Sequence, residues 1–102
     1  MEYLKISNEL ISEVLECNCT NSKIIDNELI YEAFGDSYIN IYEFAFKCKE
    51  WAMYKYNITI SSSLYKNYAK CWDIDNDKSY KANTEIEAII KACEYVLSEV
   101  NK

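Results

Sequence analysis

Few residues in this chain have the types and spacing that chemistry needs. Asp73-x-Asp75-x-Asp77 resembles the opening of a calcium loop, where alternate carboxylates converge on a hard cation. The sixth position of that loop is Lys78 and the twelfth is Thr84. A working loop needs glycine for the sharp turn at the sixth and a bidentate glutamate at the twelfth. The segment therefore reads as an acidic turn. Cys17-x-Cys19 offers two thiols, but structural zinc takes four ligands. Histidine is absent, and Cys48, Cys71 and Cys93 lie far off on other predicted elements. The five thiols are predicted to behave as small apolar side chains, with no metal and no cofactor.

Catalysis has equally little to draw on. Without histidine, a serine or cysteine nucleophile lacks its usual base near neutral pH. Without arginine there is no bidentate phosphate clamp. Glu85 and Glu87 point in different directions on a helix, where they match the dipole of its first turn. The expectation is a protein that binds and does not catalyse.

Charge and aromatics suggest what it would bind with. The 102 residues carry a formal charge of −6, and the charge is segregated. Residues 1–36 hold eight acids and two lysines, residues 37–72 two acids and five lysines, and residues 73–102 seven acids and four lysines. Net acidity disfavours direct nucleic-acid binding, which draws its affinity from phosphate contacts. It suits a basic protein surface, although acids also serve plain solubility. There are ten tyrosines, more than one small core can hold. Tyrosine is enriched at interfaces, and amphipathic packing is the other account of it. The hairpin around Gly35 gathers Glu28, Tyr31, Glu32, Asp36 and Tyr38, and the later turn supplies Asp73, Asp75 and Asp77. These eight are the predicted partner-contact residues.

The elements that must position them follow from caps and periodicity. Ser7 or Asn8 caps a first helix with Leu10, Ile11, Val14 and Leu15 on one stripe. Lys23–Phe34 reads as extended with a turn at Asp26-Asn27. Gly35-Asp36 is predicted as a two-residue hairpin turn, and Ser37–Ile39 as the return strand. Asn40 and Glu43 make a capping-box pattern ahead of a helix that buries Ile41, Phe44, Ala45, Cys48, Trp51 and Ala52. Asn57–Leu64 alternates as a strand. Tyr68–Ile74 returns, with Trp72 and Ile74 sharing a face, and Lys78–Ala82 adds a short strand. Thr84 and Glu87 open a last helix bearing Ile86, Ile89, Cys93, Val96, Leu97 and Val100. The prediction is a single α+β domain over residues 1–102, ordered α-ββ(β)-α-ββ(β)-α. Three helices would cover one face of an antiparallel sheet of about four to six strands, in two layers. No run approaches the length of a membrane span. The odd cysteine count and the absence of a signal-like opening predict an intracellular, reduced protein.

Three blocks resemble segments of small uncharacterised proteins encoded by bacterial prophages. They are Ile6–Leu15, Asn40–Ala52 and Thr84–Cys93, together about a third of the chain. That family brings no activity and no catalytic residue. The resemblance implies the cytoplasm of an infected or lysogenic bacterium. By analogy with anti-CRISPR proteins, it implies a host defence protein, such as a CRISPR effector, as partner. The expected function is a non-enzymatic inhibitor that occludes a nucleic-acid-binding surface. The alternatives are a phage accessory or structural protein that self-associates, with a homodimer as one form, and a small-ligand sponge.

Overall fold

The structure, a computed structural model, describes residues 4–66, 68–74 and 77–101. Helix α1 (Asn8–Leu15) starts where the Ser7 hydroxyl accepts a hydrogen bond from the Leu10 amide at 3.1 Å. It stops at Glu16, which adopts the left-handed region at φ 53° while the Cys17 amide donates to the Ser12 carbonyl. Strands β1 (Asn21–Ile25), β2 (Glu28–Glu32) and β3 (Asp36–Asn40) form an antiparallel meander. The turn between β1 and β2 puts Asp26 and Asn27 both at positive φ, the geometry that matches strand twist. The Asn27 carbonyl also accepts the Ile41 amide at 2.8 Å, which ties this turn to the next helix.

Asn40 ends β3 and caps α2 (Ile41–Tyr56) through its Oδ1, which accepts from the Tyr42 amide at 2.9 Å. Asn57 closes α2 in the left-handed region, where asparagine substitutes for the usual glycine. A second meander follows: β4 (Ile60–Leu64), β5 (Ala69–Asp73) and β6 (Lys78–Ala82). Thr84 then caps α3 (Glu85–Val100) by accepting from the Glu87 amide at 3.2 Å.

The α+β class and the element order match expectation, with six strands. The layering differs. The strands form two separate three-stranded sheets, not one. The reason lies in α3, which buries Ile86, Ala88, Ile89, Ile90, Ala92, Cys93, Val96 and Leu97. Those residues span an arc of roughly 200° at 3.6 residues per turn, wider than a single sheet face covers. The helix is instead packed between α2, α1 and the second sheet, while α2 also carries the first sheet. Phe44, Leu10, Ile11, Leu29, Ile41 and Ile90 are the largest fully buried apolar side chains of the shared core, which also holds Trp51. Glu94 of α3 links to α1, because its carboxylate accepts from both the Ser7 amide and the Ser7 hydroxyl at 2.8 and 2.7 Å.

One local expectation is corrected, and packing decides two further placements. The β2–β3 loop is Ala33–Phe34–Gly35, with Asp36 already in β3, so the turn lies one residue earlier than predicted. In β5 the inward residues are Ala69, Cys71 and Asp73, whereas Trp72 is half-buried on the other face and Ile74 is 59% exposed. Small side chains let β5 approach the small-residue surface of α3, which leaves the indole outside. Ile60 is buried, whereas Leu64, in phase with it along β4, is 68% exposed at the strand's end. Cys48 and Cys93 are fully buried on facing helices, as their stripes predict. No described helix is long and apolar enough to cross a membrane.

Candidate protein-binding surface

Period-two alternation in β1–β3 sorts this meander into two faces. Leu29, Tyr31 and Ile39 point to the core, together with Ile24. The other face is open to solvent. On it the register places Glu32 directly opposite Asp36, Ile30 opposite Tyr38, and Glu28 opposite Asn40. Four predicted contact residues, Glu28, Glu32, Asp36 and Tyr38, therefore share one surface. Tyr38 is 75% exposed there. Tyr31 does not join them: its partner across the ladder is Ser37, and its ring packs on the core. One residue of separation from Ile30 or Glu32 is enough to reverse the face. Lys23 of β1, opposite Ile30, is the single cation of this face.

The hairpin tip adds a residue that the sequence reading passed over. Phe34 is fully exposed, at 104% of its reference area. Its backbone lies in the left-handed region at φ 57°, followed by Gly35 at φ 106°. A β-carbon costs roughly 1–2 kcal/mol in that region. Hydrophobic burial in the free protein gives nothing back, because the ring has no cover. The available signal was an aromatic residue immediately before the chain's single glycine, between two acids.

The second predicted acidic group is not assembled. Asp73 is 1% exposed at the end of β5, opposite Lys78 in the ladder, so it cannot serve an outer contact. Asp77 is exposed at positive φ, as a turn residue. Asp75 lies outside the described residues. Among the described residues no group of three or more cysteine, aspartate or glutamate side chains is placed to hold a metal ion.

The second sheet presents an open face of opposite character. Ser63, Lys70 and Lys81 form one cross-strand row, and Ser61, Trp72 and Ser79 form the next. No acid from β4–β6 lies on it. Tyr65 and Tyr68 stack beside it at 4.8 Å, Tyr65 meets Trp72 edge-on at 6.5 Å, and the Lys81 ammonium sits 4.5 Å over the Tyr68 ring. Between α2, the end of β4 and the start of α3 runs a groove of about 580 Å³. Tyr42, Phe46, Leu64, Ile86 and Ile89 supply its apolar wall. At its polar side Lys49 donates to the Ser62 hydroxyl at 3.0 Å, which donates to the Glu85 carboxylate at 2.7 Å.

The buried titratable groups lie beneath these surfaces, with Cys71 directly opposite Ser62 in the ladder. Burial, then a hydrogen bond with the Cys93 thiol, raises the Cys48 thiol well above its ordinary range. Burial pushes Cys71 up to about 12. These are protonated, unreactive thiols at neutral pH. Burial, then the Asp73 charge, pushes the Tyr80 phenol up to about 12. The Tyr80 hydroxyl and Trp51 Nε1 are buried with no hydrogen-bond partner among the described residues. No protein-family profile, curated protein or solved structure matches this chain.

Proposed function

We propose that this protein acts by binding a basic protein surface, without chemistry of its own. The contact is the tip of the β2–β3 hairpin together with the open face of the first sheet. The observation that carries this reading is Phe34. A fully exposed aromatic ring is held in an unfavourable backbone conformation, directly beside the facing carboxylates of Glu32 and Asp36. Like charges directly opposite one another also destabilise a sheet. Both terms burden the free protein; a basic partner neutralises the second, and an apolar pocket offsets the first by burying the ring. Aromatic anchors surrounded by charge that steers encounter are the usual division of labour at an interface.

In the bacterial setting that the prophage resemblance implies, the partner would be a host defence protein such as a CRISPR effector. The acids would meet the lysine- and arginine-rich wall of its nucleic-acid channel and block it. A small-ligand sponge finds support only in the groove beside α2. Its one lining cation, Lys49, is engaged with Ser62, and Glu85 stands next to it. That arrangement suits an apolar ligand better than a nucleotide.

The test is capture from host lysate on immobilised protein, followed by binding kinetics with the captured partner. Phe34→Ala should speed dissociation by about thirtyfold, the equivalent of ~2 kcal/mol at a hot spot. Glu32→Lys with Asp36→Lys should slow association. The captured protein should then lose nucleic-acid binding or cleavage in the presence of the wild type. Identical kinetics for wild type and all variants would remove the hairpin from the interface.

A further inference from the structure

The basic surface that this reading requires also exists on the chain itself. The open faces of the two sheets match in sign and in layout. On the first sheet a charged row, Glu32 and Asp36, lies next to a row of Ile30 and Tyr38, which Lys23 completes on the β1 edge. On the second sheet a charged row, Lys70 and Lys81, lies next to the row centred on Trp72. Within each sheet the two rows are two residues apart along the strands, about 7 Å. Each charged row is a directly opposed like-charge pair, acidic in one sheet and basic in the other. None of the four charges has an ion pair with a described residue. A rigid docking of one face on the other brings carboxylates to ammonium groups and Tyr38 to Trp72 at once.

We propose that the open face of the second sheet is a docking surface for the acidic face of the first sheet of another copy. The inference rests on the reading that the acidic face is a contact surface, and it names a partner for it. The contact is heterologous, because different surfaces of the two copies meet. Such a contact leaves one acidic and one basic face unused at the ends, so it extends or closes as a ring. Its strength follows from its size. Five residues along three strands cover on the order of 250 Å² per side, against about 800 Å² in a standard interface. Association is therefore weak, reversible and dependent on concentration. It is also screened by salt, since the Debye length falls from about 10 Å at 0.1 M to about 3 Å at 1 M.

Sedimentation velocity of the full chain tests this across protein concentration, in dilute and in concentrated salt. The average mass should keep rising with concentration in dilute salt and return to the monomer in concentrated salt. Two charge-reversed variants sharpen the test. Glu32→Lys with Asp36→Lys changes the formal charge from −6 to −2, and Lys70→Glu with Lys81→Glu changes it from −6 to −10, two units per substitution. Each variant alone should be at least about tenfold weaker in association. Mixed together they should associate again, although both are net negative and would otherwise repel. Should a reversed pair fail to fold by circular dichroism, Asp36→Asn and Lys81→Gln carry the same comparison at smaller amplitude.

A wild type that stays monomeric at every concentration overturns the proposal. So does a plateau at a salt-resistant dimer, or a mixture that stays monomeric. Binding of a single-stranded oligonucleotide that Lys70→Glu with Lys81→Glu abolishes, in a protein that never self-associates, reassigns the basic face to nucleic acid. The hairpin reading is tested separately. Partner capture that depends on Phe34 and persists in the Lys70→Glu, Lys81→Glu variant sustains it even where self-association fails.

Discussion

At the scale of single residues, the consequential ones are buried groups whose ionisation the fold opposes. Cys71 and Tyr80 have folded-state values raised to about 12 from ordinary values of 9.0 and 10.0. Each is neutral when protonated and charged when not, so a raised value means the fold favours the protonated form. Their stabilisation is complete below about pH 9 and declines as the pH rises toward 12, where the unfolded chain releases protons that the folded chain retains. Thermal midpoints should therefore hold level through neutral pH and fall progressively above pH 9. Tyr80→Phe isolates one contributor. It removes a buried hydroxyl without a partner, a group that costs roughly 1–3 kcal/mol to desolvate. The variant should be at least as stable as wild type in urea at neutral pH, and its alkaline decline should be shallower. A loss of more than 1 kcal/mol at neutral pH would mean that the hydroxyl has a partner after all.

The elements carry two further expectations. Ser7 caps α1, and through the Glu94 carboxylate it fastens that helix to α3. Ser7→Ala removes the cap and one of two bonds to a charged acceptor, so it should cost about 1–3 kcal/mol in denaturant unfolding. The β2–β3 hairpin predicts the opposite sign. Its Phe34 ring touches nothing and its backbone is left-handed. Asparagine tolerates that region better than phenylalanine. Phe34→Asn should leave stability unchanged or raise it by up to ~1 kcal/mol, while removing the proposed anchor. Equal losses of stability and of partner binding would show instead that the ring supports the fold.

The whole molecule is two sheets joined through a helical layer, and α3 is the element both halves depend on. It packs directly on β4, β5 and β6, and it reaches the first sheet through α2. The two sheets should consequently unfold as one unit. Trp51 reports on α2 and Trp72 on the second sheet. Fluorescence transitions of Trp51→Phe and Trp72→Phe, each followed through the remaining indole, should coincide once corrected for any change in overall stability. Separate midpoints within one variant, one by fluorescence and one by far-ultraviolet circular dichroism, would mark two independent halves.

Local signals in the sequence determined the elements. Ser7, Asn40 and Thr84 act on amides two or three residues away, and Asp26-Asn27 turns the chain on its own backbone preferences. These effects need no distant partner, so three helices and six strands were legible. Alternation placed Glu28 with Glu32 and Asp36 with Tyr38 within their strands, but a two-residue turn at Gly35-Asp36 would pair Tyr38 with Ala33. Only the observed register, with Ile30 opposite Tyr38, brings the four together and turns Tyr31 away. Tertiary structure decided which face of a strand looks inward when both faces are plausible. In β5, Ala69 and Cys71 win the core over Trp72 because α3 presents a small-residue surface that a strand can approach closely. The same choice carries Asp73 inside, apart from the exposed Asp77. Tertiary structure also decided that six strands divide into two sheets, because the buried arc of α3, more than half its circumference, needs cover from α1 and α2 as well as from a sheet. That division separates the acids of the first sheet from the lysines of the second. An alternating sequence defines two faces for every strand, but only long-range packing chooses between them.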